Sequence, residues 1–295
     1  AGKTTQGASA TAIGQGAGFS AQGGSAVAVG INAGNSGQLG SAVAVGAQAG
    51  LTTQGTNATA VGVNAGRTTQ GASAVAVGVN AGYTSQSGSA VAVGNNAGNN
   101  TQGVNAVAVG TSAGQTSQSN NATAVGVLAG QTSQGINATA IGNSAGKTTQ
   151  GASATAIGQG AGLTSQGANA VAVGLNAGSG TTSGQGANSI AIGNNAGVAS
   201  QLAGSIALNA SGVALNPSVA GCFIDPIRLD DDLPIQPVCY NNTTKELYYA
   251  SSAKFVYTIN PATSNQSYAS GVPLFTNKWV IQSTNGLTNT GTNGW

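Results

Sequence analysis

The chain has 295 residues and a mass of only 27.9 kDa, because 49 residues are glycine and much of the remainder is alanine, serine, threonine and asparagine. Charged residues are 4% of the total, against roughly 25% in ordinary soluble domains, and histidine and methionine are absent. Histidine-dependent acid–base, nucleophilic and zinc chemistry is excluded, and all five carboxylates (Asp225, Asp230, Asp231, Asp232 and Glu246) follow residue 224.

The composition therefore predicts a protein that is not an enzyme, with no catalytic residues, no cofactor and no metal site. Seven well-spread bases, giving a formal net charge of +2, are too few to neutralise a phosphate backbone, so no nucleic-acid partner is expected. No run of about 20 consecutive apolar residues occurs, so no helical membrane span is expected. Without any methionine, Ala1 is expected to follow processing or to open a fragment.

From the amino terminus the chain is an array of repeats. A glycine ends an Ala-x-Ala-aliphatic run at Gly14, Gly30, Gly46 and onward to Gly174, in ten successive intervals of 16 residues. An insertion around Ser179-Gly180-Thr181 delays the next to Gly193. A variant at Ser205 to Asn209 and a half-length echo at Val213 to Asn216 close the array.

One unit runs from Ala72 to Ser87. The column of Val77 is always β-branched through Ile192, and that of Val75 holds Val, Ile or Thr. Two such residues at period two predict a strand. Glycine every few residues, at about 1 kcal/mol each relative to alanine, excludes a helix.

The intervening positions, Ala74 and Ala76, are almost uniformly alanine, so both faces of the strand are apolar. The expected arrangement has the Val/Ile face filling each coil and the alanine face packed against identical chains; the opposite assignment of faces stays open. Sixteen residues span roughly 50 Å of contour, enough for two short strands and two turns. Ala81-Gly82 is expected at one corner and Gln86-Ser87 at the other. Some thirteen coils stacked about 4.8 Å apart would make a rod of roughly 60 Å.

Glutamine recurs thirteen times at one position, from Gln6 to Gln201, and Ser or Asn precedes each alanine strand. Stacked side-chain ladders are expected there; a repeating polar surface for sugars or ice is the alternative. The column after each Ala-Gly varies freely, which predicts exposure. Phe19, Arg67, Tyr83 and Lys147 are its most distinctive members and form the candidate contact edge for a receptor or glycan, beside the reading of an unconstrained surface.

Gly142 to Thr148, with Lys147, is one residue short of a phosphate-binding loop, but the repeat explains it and no helix is expected to follow. The sequons at Asn57, Asn121 and Asn137 are expected to enter the packed strand, whereas those at Asn241, Asn242 and Asn265 lie beyond the array. Asp230-Asp231-Asp232 reads as a solvated turn rather than a calcium site.

Composition changes at Pro217. Residues 217–250 read as a β-rich capping unit, with short strands at Cys222 to Arg228 and Leu247 to Tyr249 around a turn at Asn241 to Lys245. Residues 251–295 read as a Thr/Asn-rich connecting or attachment segment with one apolar patch, Val272 to Ile281. Cys222 and Cys239 are a candidate disulfide that would contribute about 3 kcal/mol; a reduced pair is the alternative.

The unit Ser73 to Gly82 resembles the head repeat of trimeric autotransporter adhesins (YadA-like heads), although those heads use a shorter unit. That resemblance covers about 210 residues. It implies an all-β, left-handed parallel β-roll solenoid of 16-residue coils that forms a homotrimer. The succession of Ser205 to Gly212, Phe223 to Arg228 and Tyr240 to Tyr249 is similar to repeat-bearing surface proteins of giant DNA viruses and some tailed phages. This implies a location on the virion surface, in a fibre or spike used in host attachment. Its partners would be a host glycan or receptor and, through the C-terminal segment, other virion or capsid proteins. A bacterial trimeric adhesin head, on the bacterial cell surface, and a purely structural filament or coat component are the alternatives.

Overall fold

A computed structural model describes residues 1–180, 183–227 and 238–249, which fall in two units, Ala1–Arg228 and Leu229–Trp295. The first unit is a parallel β-solenoid of about thirteen turns. Each regular coil gives one short strand, such as Val75–Val77, to a 14-stranded sheet and a second, such as Ser85–Gln86, to a 12-stranded sheet. Equivalent residues stack on one another: Val75 on Val91, Ala76 on Ala92, Val77 on Val93, and Gln86 between Gln70 and Gln102.

Turns separate the strands because every regular coil carries at least four residues at positive φ. In one coil these are Ser73 at 57°, Gly78 at 129°, Asn80 at 56° and Gly82 at 54°. Ser and Asn before the alanine strand are thus turn residues in left-handed backbone, a conformation that Asn tolerates better than most. Side-chain stacking at this position is seen where asparagines adjoin, as between Asn105 and Asn121 at 3.2 Å and Asn121 and Asn137 at 3.1 Å. The sequon residues Asn57, Asn121 and Asn137 lie at this turn with exposed side chains rather than in the packed strand.

The expected assignment of faces is reversed. Ala74, Ala76 and Ala81, like nearly all of their equivalents, are 0% exposed and form the core, whereas Val75 and Val77 face outward and are half-buried. The physical reason lies in the opposite sheet. Gln86 and its equivalents point into the coil rather than turning a corner, and Gln22 to Gln201 are buried. Gln86 Nε2 reaches across to the Val75 carbonyl at 2.7 Å and the Ala90 carbonyl at 3.1 Å. A roll this flat holds one glutamine and facing alanines per coil. The amide packs so tightly that a Cβ on Gly82 would sit 2.7 Å from Gln86 Oε1, which leaves no space for an inward valine.

The glutamine ladder itself forms as expected, with one break at Gln102, whose Oε1 is buried without a hydrogen-bond partner among the described residues. Gln22 donates to Gln38 at 3.2 Å, Gln38 to Gln54 at 3.0 Å, and Gln134 to Gln150 at 3.1 Å. The core is therefore held by hydrogen-bonded amides as much as by apolar contact. Because residues 1–224 contain no carboxylate or imidazole, no such group in the coils couples proton uptake to unfolding in acid.

At the end of the array Ile206–Asn209 pairs in parallel with Cys222–Asp225, which is the last strand of the same sheet. Buried Asn209 ties this end together by donating to the carbonyls of Asn194 at 2.7 Å and Val213 at 2.6 Å. The echo at Val213 to Asn216 returns to the coil through a bridge from Leu215 to Ala196.

In the second unit Leu247–Tyr249 pairs antiparallel with Val238–Tyr240. Asn241 Oδ1 caps the intervening turn by accepting from the amides of Thr243 and Thr244 at 2.8 and 3.1 Å. Residues 251–295, Asp230 to Asp232 and the Cys239 side chain lie outside the described residues. Cys222 is an exposed, free thiol.

Candidate interaction surface

The reversed faces leave the 14-stranded sheet with an outward surface of Val, Ile and Thr. Two side chains per coil stack in register from Thr11 and Ile13 to Ile206 and Leu208. Turn residues Ile31, Val63, Val79, Val127 and Leu175, 43–55% exposed, widen this surface along one side. Thirteen rungs about 4.8 Å apart and roughly 10 Å wide make an apolar face on the order of 600 Å² before the turns are added. Contiguous apolar patches of that size on soluble proteins mark contact sites.

The opposite sheet differs. Its outward residues, such as Thr69, Ser85, Thr101 and Ser117, are exposed hydroxyls, so the roll has one wet side and one apolar side. Between residues 4 and 224 the only charged side chains are Arg67 and Lys147. Both stand after the Ala-Gly turn, off the apolar sheet, so nothing repels a second neutral surface there.

Of the candidate edge residues, Phe19 is exposed while Arg67, Tyr83 and Lys147 are half-buried. Lys3 Nζ lies 5.3 Å from the centre of the Phe19 ring. Arg67 stacks on Tyr83 with its guanidinium carbon 5.2 Å from the ring centre, donates from Nη1 to the Tyr83 hydroxyl at 2.6 Å, and donates from Nε to Gln48 Oε1 at 3.2 Å. The structure thus brings Arg67 and Tyr83 together. Phe19 lies three coils before Arg67, and Lys147 four coils after Tyr83. A shallow depression beside Tyr83 is lined by Asn64, Asn80 and Asn99, residues that sequence reasoning did not select; their only signal was recurrence of Asn at two turn positions.

The loop resembling a phosphate site, Gly142 to Thr148, is one more inter-strand turn with no helix after it. Among the described residues no group of three or more Cys, Asp or Glu side chains could hold a metal, and no helix is long and apolar enough to cross a membrane. Comparison with family models, with curated proteins and with solved structures gave no match.

Proposed function

We propose that this chain is a non-enzymatic, homotrimeric fibre or spike component of a virion surface, whose coils associate through the outward Val/Ile ladder and whose variable edges contact the host envelope. The observation that carries the reading is that ladder. It is uncharged and continuous along the array, with Val, Ile or Leu in one column and Val, Ile or Thr in the other, and its pitch is one that a second copy of the chain matches rung for rung. With its flanking turns the face approaches the roughly 800 Å² per partner of a standard interface. The motif likeness to viral surface proteins supports the location. Three copies of each edge would raise weak contacts to useful avidity without a deep pocket. A bacterial adhesin head uses the same association and differs in requiring a stalk and a membrane anchor.

The test is a charged pair on the ladder. Val93→Lys with Val109→Lys places two ammonium groups on the outward face, where an isolated coil tolerates them but an assembled one must bury them unpaired, at several kcal/mol each. Light scattering is expected to give 84 kDa (3 × 27.9 kDa) for the parent chain and a single-chain mass for the variant, with the β-sheet circular dichroism retained. A parent chain that is already single contradicts the proposal.

A further inference from the structure

We propose that Arg67, Tyr83 and the neighbouring asparagines form a subsite for a carboxylate-bearing sugar, the acidic unit of a surface glycan. This rests on the attachment reading above and names its ligand class. Arg67 is immobilised by stacking on the Tyr83 ring and by its bonds to Tyr83 and Gln48. Those two bonds use two of the five guanidinium N–H donors, which leaves three for an incoming group. A fixed guanidinium with donors to spare is suited to a carboxylate, which it can grip at both oxygens.

The counter-charge must come from outside the coils, because residues 1–224 contain no carboxylate. The adjoining depression supplies the rest of the recognition. Asn64 Nδ2 donates to Asn80 Oδ1 at 3.1 Å, Asn80 Nδ2 to Asn96 Oδ1 at 3.2 Å, and Asn99 Nδ2 to the Asn80 carbonyl at 3.0 Å. These bonds fix the amides while the Oδ1 atoms of Asn64 and Asn99 accept from no donor among the described residues. Two free acceptors on residues that share the depression with Tyr83, the ring on which Arg67 stacks, match the hydroxyls of a sugar ring next to its acid group. Lys147, four coils away, has Gln131 and Leu163 at the stacked positions of the adjoining coils, so no aromatic ring stands there to hold it.

Saturation-transfer NMR with glucuronate, glucose and acetate tests the site on the full chain. Glucuronate is expected to receive saturation at millimolar concentration, glucose to receive at least about tenfold less, and acetate at equal concentration to leave the glucuronate signal in place; tenfold corresponds to about 1.4 kcal/mol. Arg67→Gln and Tyr83→Asn should each reduce the glucuronate signal by about tenfold or more. Both substitutions install residues that other coils already carry at this position, as at Gln115, Gln131 and Asn99, so the fold is retained. Absence of saturation, an equal signal from the Arg67→Gln variant, or full displacement by acetate would overturn the subsite. Light scattering on the same samples separates the two proposals: a trimer that ignores glucuronate sinks only the subsite, and a single chain that binds it sinks only the trimer.

Discussion

Gly110→Ala is expected to destabilise the coil array by on the order of 4 kcal/mol, combining a backbone strain of roughly 1–3 kcal/mol with a clash that side-chain motion cannot relieve. Gly110 has φ +129°, and a Cβ built there would lie 2.6 Å from the Gly126 carbonyl oxygen and 2.7 Å from its carbonyl carbon. Both are backbone atoms of the next coil, which stacks on Gly142 in turn. The added methyl can be accommodated only by parting two rungs. In a one-dimensional array, where each coil is stabilised by its neighbours, a parted rung uncouples the halves on either side. Gly88→Ala is the control: φ is not positive there, the nearest atom is the Ala72 carbonyl oxygen at 3.5 Å, and other coils carry alanine at this position. Thermal unfolding followed by circular dichroism should show a large fall in midpoint, or two transitions, for Gly110→Ala and no more than a small change for Gly88→Ala.

Gln118→Leu is expected to cost about 3 kcal/mol although it raises the hydrophobicity of the core. Gln118 is 1% exposed. Its two Nε2 hydrogens are shared among the Val107 carbonyl at 2.7 Å, the Ala122 carbonyl at 3.1 Å and Gln134 Oε1 at 3.1 Å, and its Oε1 accepts from Gln102 Nε2 at 3.2 Å. Leucine removes a partner from four polar atoms, and each buried group left unsatisfied costs roughly 1–3 kcal/mol. Some are partly satisfied elsewhere, which keeps the total below the sum. Ser117→Ala on the same strand, with its exposed hydroxyl outward, should change stability by no more than about 0.5 kcal/mol. Denaturant unfolding of the two variants measures the difference; equal stabilities would mean that the glutamine ladder contributes nothing to the core.

Much of this fold was legible in the sequence because every coil repeats the same local constraints. The 16-residue spacing, the period-two strand at Val75 to Val77 and the stacked column at Gln86 each depend on residues within one unit or on its copies. The side on which the core lies was not legible from the strand alone. Alternation shows that two faces differ, and ranking by side-chain size places valine inside. The volume available to that strand is set instead by Gln86 of the opposite sheet, whose amide occupies the space between the layers.

The Ser/Asn column illustrates a second limit. Its recurrence suggested a ladder, but Ser73 and Asn57 are selected first by the positive φ their turn requires, a requirement that recurrence alone does not reveal. The contact of Arg67 with Tyr83 was accessible in principle, since residues 16 apart stack. Treating the column as a set of independent exposed positions concealed it. The asparagine-lined depression, with contributions from two turn columns in successive coils, has no counterpart in the linear sequence.

The most direct measurement is the mass per unit length of the particle in solution, obtained from X-ray scattering and light scattering together. Coils rising about 4.8 Å each give about 0.3 kDa/Å for one chain, and association through the Val/Ile ladder triples this to about 0.9 kDa/Å at a total of 84 kDa (3 × 27.9 kDa). A particle of 27.9 kDa with the single-chain value would leave that ladder facing water and would contradict the assembly.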